Sequence, residues 1–269
     1  MYLLGLIPVV LVFFFRLGMR ETRRFEALRA SGGTHTSLRE QLAALRVPFQ
    51  RRYRRRSLLV TLIWNCNHLV TSPAVTFWTI HAARDLGYGP EQYTVVVAAG
   101  YLVGFLVGAP LAGFSMNRFG RRLTCALYYL GAAVSIFTLF QVDSGDLLPQ
   151  TALMSVTIVS FLGANAATST FATELFPTEI RATGYSWTTN LFGRFTEILT
   201  PFAIGFLADR IGIPWAVGVM AIGPVIGALI VLRYAPETRG KTLEEISEEL
   251  DGEAALLPAT AAEKLRASR

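Results

Sequence analysis

The sequence predicts an all-α membrane protein built on six spanning helices, and three observations carry that prediction. The chain of 269 residues is 52% hydrophobic and 16% charged, with a mean hydropathy of +0.42, which is more apolar than the usual soluble balance. Its charges are confined to a few segments. The stretches between them are long enough to matter: crossing a hydrocarbon core takes about 20 helical residues, and apolar runs of that order lie at roughly 58–80, 92–114, 123–142, 151–172, 184–208 and 213–232.

At the amino end, Met1 to Phe15 is just as apolar, but at about 1.5 Å per residue it reaches only about 22 Å, short of a core about 30 Å thick. It reads as the end of a longer helix. Arg16, Arg20, Arg23 and Arg24 follow this stretch, the reverse of the order in a cleaved secretory signal. Residues 16–56 form a basic loop, with a short amphipathic helix expected at Leu38 to Leu45 after the Ser31-Gly-Gly-Thr34 break. Residues 57–234 hold the six-helix bundle. In the tail, 235–269, Leu243, Ile246 and Leu250 make one stripe among Glu244, Glu245, Glu248, Glu249 and Asp251. The acidic tail and basic loop invite association at the cytoplasmic surface; two separately solvated faces are the alternative.

Of the 25 Lys and Arg residues, 22 fall in 16–56, 115–122, 173–183 and 233–269, while the opposite side holds Arg84 and Arg210, and Arg194 lies within a span. Basic residues stay cytoplasmic during insertion, so the chain is expected as a multi-pass protein of the cell (inner) membrane with its carboxy terminus in the cytosol. The net charge of +6 then orients a bilayer protein and does not imply nucleic-acid binding. Arg51-Arg-Tyr-Arg-Arg-Arg56 abuts a span, where it can meet anionic headgroups. Cys66 and Cys125 fall within or at the edge of spans, so neither a disulfide framework nor a zinc site is expected. No phosphate-cradling loop, metal cluster, nucleophile triad or cofactor motif is readable, and catalysis has no support.

Three short segments flank the runs. In Gly113-Phe-Ser-Met-Asn-Arg-Phe-Gly-Arg-Arg122, Gly113 is expected to let a neighbouring helix backbone come close, after Gly104, Gly108, Ala109 and Ala112 at helical spacing. Gly120 permits the reversal, and Arg118, Arg121 and Arg122 anchor the turn. Residues 173–184, Thr-Glu-Leu-Phe-Pro-Thr-Glu-Ile-Arg-Ala-Thr-Gly, place Glu174, Glu179 and Arg181 in a charged cluster at a turn, and Pro236-Glu-Thr-Arg-Gly-Lys241, with Glu237 and Arg239, ends the last span. A partial copy of the first motif, Gly205-Phe-Leu-Ala-Asp-Arg-Ile-Gly212, lies on the outside and lacks the arginine pair, so Gly212 and Pro214 read as a plain turn.

Together these segments resemble the carboxy-terminal half of a major facilitator superfamily transporter, close to the sugar-porter and metabolite or organic-ion branches. The resemblance implies a six-helix carboxy-terminal bundle plus the end of the preceding helix, and a gate at the cytoplasmic motifs. Asn117 stands where the family usually has aspartate; its amide is expected to hydrogen-bond a helix terminus without the charge. Residues typical of sugar porters are missing from Trp64-Asn-Cys-Asn-His68 and from Gly163-Ala-Asn-Ala-Ala-Thr-Ser-Thr170, which favours a small organic ion or metabolite over a hexose.

Charged side chains within a span cost about 2.5 to 3.5 kcal/mol each, so they normally face a cavity or a partner. Arg194 and Glu197, three residues apart, share a helix face. They are the expected solute carboxylate or phosphate site and proton carrier; a permanent structural ion pair is the alternative. Asn65, Asn67, Asn165 and Asn190 are candidate solute ligands and His68 a second proton carrier, with plain interhelical hydrogen bonding as the bland role. Trp78 and Trp187 lie toward span ends and are expected as interface anchors. The predicted activity is secondary active transport, proton-coupled, by a partial or truncated transporter. It would need a missing amino-terminal half or a second copy besides bilayer, solute and proton. Isolated, it would transport weakly or not at all. An ATP-driven importer permease lacks its Glu-Ala-Ala-x-x-x-Gly docking segment here; a non-transporting half-length regulator is the third reading.

Overall fold

The computed structural model describes residues 10–15, 45–177, 180–241 and 245–246. The chain divides into two units, 1–45 and 46–269. In the first, residues 10–15 are helical. The helix expected at Leu38 to Leu45 lies almost wholly outside the described residues, as does most of the tail stripe, of which Ile246 is described and buried.

The second unit is helical, and six of its helices are long and apolar enough to cross a membrane: Arg54–Arg84, Pro90–Phe119, Arg121–Gln141, Leu147–Glu174, Arg181–Ile211 and Ile213–Tyr234. Each contains one of the six predicted runs almost entirely. The first consists of α1 (Arg54–His68) and α2 (Thr71–Arg84), interrupted at Leu69 and Val70. Pro73, in the first turn of α2, lacks the N–H that an unbroken helix would donate to the Leu69 carbonyl. In the second span α3 (Pro90–Val103) opens into a π-helical stretch, Gly104–Gly108, before α4 (Ala109–Phe119). Pro110 again removes a donor at that point. The third and fourth spans, α5 (Arg121–Gln141) and α6 (Leu147–Glu174), are continuous.

The fifth span runs through α7 (Arg181–Tyr185), a π-helical stretch Ser186–Leu191, a turn at Phe192 to Arg194, and α8 (Phe195–Ile211). Thr188 and Thr189 hydroxyls donate to the Gly184 and Tyr185 carbonyls at 2.7 Å, competing with the regular ladder just before the turn. The sixth span is α9 (Ile213–Met220) and α10 (Ile222–Tyr234), offset at Ala221. Gly212, at φ +80°, makes the expected turn into it.

The helices pack about α6, which contributes Met154, Ile158, Ala164, Ala167 and Phe171 to the two buried apolar clusters. Close approach occurs along α3 and its continuation: a Cβ on Gly104 would lie 2.2 Å from Ile158 Cγ2, and one on Gly108 2.9 Å from the Val159 carbonyl. The expectation for Gly113 is corrected, since a Cβ there would meet nothing within 4 Å. Two further corrections concern surface anchors. Trp78 is fully buried and sits edge-on to Tyr88, with centroids 6.4 Å apart. Arg56 is also buried, and its Nη1 donates to the Leu175 carbonyl at 3.4 Å. It caps the end of α6, an orphan-acceptor position, and does not face headgroups.

Candidate gate and mid-span site

The charged motifs at the span ends meet in one network. Arg121 Nε lies 3.1 Å from both Glu174 carboxylate oxygens and its Nη2 2.9 Å from Oε1, a bidentate pair. The Thr238 hydroxyl donates to Glu174 Oε2. Glu237 accepts from the backbone N–H of Arg121 at 2.9 Å and of Arg122 at 3.2 Å, so a carboxylate from beyond the sixth span caps α5 at its positive end. The same carboxylate accepts from the N–H of Thr238 at 3.1 Å and of Arg239 at 3.0 Å. Gly120 is required twice: its φ is +89°, and a Cβ would lie 2.6 Å from Glu237 Oε2. Arg239 Nη1 donates to the Arg118 carbonyl at 2.8 Å.

One sequence expectation is revised here and one is extended. Glu237 caps the helix in place of Asn117, which is exposed. Glu174 turns to Arg121 and Thr238, while Arg181 Nε donates to the Phe176 carbonyl at 3.3 Å; Glu179 lies outside the described residues. Thr238, 2% exposed, was not singled out from sequence, though its place between Glu237 and Arg239 was a signal.

The second polar centre lies mid-span. Arg194 falls near the middle of Arg181–Ile211, and the interruption of the first span near the middle of Arg54–Arg84. Asn65 joins the two spans. Its Nδ2 donates to the Phe192 carbonyl at 2.6 Å and the Thr61 carbonyl at 2.9 Å. Its Oδ1 accepts from the Thr196 N–H at 3.0 Å, and its carbonyl from the Thr196 hydroxyl at 2.8 Å. The amide therefore satisfies backbone groups that the broken helix leaves orphaned. Gly193 fits where a Cβ would lie 2.3 Å from the Thr188 carbonyl and 2.4 Å from the Trp64 ring. Gly193, Thr196 and Pro73 are the residues the sequence reading passed over.

At this break Arg194 Nη1 meets Glu197 Oε2 at 3.4 Å, with the side chains 48% and 27% exposed. Glu197 sits in the first turn of α8, whose amino end favours negative charge. His68 is buried with neither ring nitrogen hydrogen-bonded, edge-on to Trp64 at 5.3 Å, and feels the charges of both Glu197 and Arg194. Asn67 Nδ2 donates to Asn165 Oδ1 at 2.8 Å, while the buried Asn67 Oδ1 has no hydrogen-bond partner. Asn190 is exposed in the π-helical stretch. The fold thus gathers Arg194, Glu197, Asn65 and His68, pairs Asn67 with Asn165, and leaves Asn190 outside these contacts. Among the described residues no group of three or more His, Cys, Asp or Glu is placed to hold a metal ion.

A family model described as Major Facilitator Superfamily matches residues 60–269. The chain belongs to the Major Facilitator Superfamily. It is 28% identical over 248 residues to a probable 4-methylmuconolactone transporter of Cupriavidus pinatubonensis, covering 91% of this chain and 54% of that one. To the 4-hydroxybenzoate transporter PcaK of Pseudomonas aeruginosa it is 27% identical over 235 residues, covering 78% and 51%. The chain spans about half the length of the curated relatives it matches. In fold it is similar to a bacterial homologue of the human drug peptide transporters PepT1 and PepT2, with a TM-score of 0.56, 15% identity, and coverage of 76% and 49%. The xylose transporter XylE of E. coli gives a TM-score of 0.53 at 15% identity, with coverage of 78% and 53%. The superfamily expectation is thereby met, and these relatives are transporters, not enzymes.

Proposed function

We propose that this superfamily chain supplies the charged half of a gradient-driven transporter for a small organic anion or metabolite, placed in the cell (inner) membrane with its carboxy terminus cytosolic. The observation that carries the reading is the Arg194–Glu197 pair at the interruption of the fifth span. Intramembrane ionisable residues cost enough to persist mainly where they act, and broken helices at the midplane are where transporters bind their solutes. A solute carboxylate takes the Arg194 guanidinium in a bidentate grip. Glu197, released from Arg194, is the proposed carrier of the coupled proton. Solute and proton enter together, which is symport.

Relatives named for 4-hydroxybenzoate and 4-methylmuconolactone support an organic acid or lactone over a hexose. Family membership favours gradient-driven transport over the ATP-driven permease. Polar groups facing lipid cost several kcal/mol apiece, so the mid-span site works when covered by a complementary half, on the same or another chain, or by a second copy. Titration calorimetry with 4-hydroxybenzoate, on the purified chain assembled with its complementary half or second copy, tests the site. Arg194→Ala should weaken binding about tenfold or more, the loss of a charge-assisted pair. Unchanged affinity would reject Arg194 as the anion ligand.

A further inference from the structure

We infer that Asn65 is a positioning residue: it holds the fifth-span turn so that Arg194 presents its guanidinium to a solute carboxylate, and it does not touch the solute itself. The inference rests on the proposed reading of Arg194 as the anion ligand. Arg194 closes the turn between the π-helical stretch and α8, at φ −103° and ψ 12°. The Asn65 amide grips the backbone on both sides of it. Nδ2 donates to the carbonyl of Phe192, two residues before Arg194, and Oδ1 accepts from the N–H of Thr196, two residues after it, at 2.6 and 3.0 Å. The Asn65 carbonyl adds a third tie, accepting from the Thr196 hydroxyl at 2.8 Å. Gly193 brings the same turn against the Trp64 ring, which lies 2.4 Å from where a Cβ would stand. One face of α1 is therefore the bed for the residues that carry Arg194.

Hydrogen-bond accounting separates this role from that of a solute ligand. A primary amide has two N–H donors, and Asn65 Nδ2 spends both, on the Phe192 and Thr61 carbonyls at 2.6 and 2.9 Å. An ionised carboxylate only accepts, so Asn65 has no donor left to offer it. What Asn65 supplies is geometry. A guanidinium grips a carboxylate through two parallel N–H bonds, and such a fit holds only within about 0.5 Å and 10–20° of the productive arrangement. The Arg194–Glu197 contact, at 3.4 Å between partly exposed side chains, adds little to fixing that arrangement. The backbone ties to Asn65 supply the anchor.

Calorimetric affinities for 4-hydroxybenzoate and its neutral isostere 4-hydroxybenzamide, on the chain assembled with its complementary half or second copy, test the assignment. The wild-type protein should prefer the carboxylate about tenfold, and Arg194→Ala should erase that preference. Asn65→Ala should cut it to about two- to threefold while leaving 4-hydroxybenzamide affinity unchanged. Added to Arg194→Ala, it should change neither affinity further, because a residue that acts through another has no effect once that other is gone. Thr196→Val, nearly isosteric and on the far side of the same contact, should lower the preference about twofold, and it stands in for Asn65→Ala should that variant fail to fold. Equal loss of both affinities in Asn65→Ala would overturn the inference in favour of a purely structural role, and a further loss in the double variant would overturn it in favour of direct solute contact. An unchanged preference in Asn65→Ala, or in Thr196→Val where that variant stands in, would overturn it as well. A wild-type protein with no preference for the carboxylate would instead reject Arg194 as the anion ligand, and this inference with it.

Discussion

Two arginine–carboxylate pairs in this protein have the same chemistry and opposite settings. Arg121–Glu174 is bidentate at 2.9 to 3.1 Å, its side chains 19% and 15% exposed, and it is tied to Thr238 beside the Glu237 cap. Arg194–Glu197 meets at 3.4 Å across one turn, with 48% and 27% exposure, at a helix break. A partly buried pair held by further hydrogen bonds is costly to break from one side, whereas an exposed pair separated by a single turn contributes little to stability. The first therefore acts as a structural clasp between adjoining ends of the third, fourth and sixth spans. The second contributes little to stability, which is what the proposed exchange of Glu197 for a solute at Arg194 requires.

Five substitutions would break or sharpen that contrast. The largest effect is expected from Glu174→Ala, which strands Arg121 and removes the Thr238 acceptor; unfolding titrations should show a loss of about 3 to 5 kcal/mol. Next comes Gly104→Val, which overpacks the contact with Ile158 and should cost about 1 to 3 kcal/mol, while Gly113→Ala, facing open space, should stay within about 0.5 kcal/mol. Asn65→Ala leaves the Phe192 carbonyl and Thr196 N–H without their partner and should cost about 1 to 3 kcal/mol, with faster hydrogen exchange at residues 192–196. Arg194→Ala should be as mild as Gly113→Ala, within about 0.5 kcal/mol, despite its expected effect on binding. A stability loss there as large as at Glu174 would erase the distinction between the pairs.

Much of the fold was legible because hydropathy depends on composition alone: six apolar runs predicted six helices. The interruptions were not legible in the same way. Pro73 and Gly193 are visible in the sequence, yet spanning helices tolerate both residues when neighbours supply the lost hydrogen bonds, and the neighbour here, Asn65, is remote in sequence from Phe192 and Thr196. The motifs at the span ends were recognisable as charged turns, but their pairing depended on tertiary geometry. Glu237 reaches the α5 amino end across 116 residues, so it displaced the nearer Asn117 as the cap. Small-residue spacing likewise marked a helix face without saying how far along it the neighbour lies, and the close approach fell at Gly104 and Gly108 instead of Gly113.

The central claim is that solute replaces Glu197 at Arg194 and that Glu197 then takes the proton. Calorimetry of 4-hydroxybenzoate binding near neutral pH, repeated in buffers of different ionisation enthalpy, counts protons directly. The account predicts uptake of about one proton per solute bound in the wild-type protein, and binding without proton uptake in Glu197→Gln. Equal proton uptake by the two proteins would contradict it.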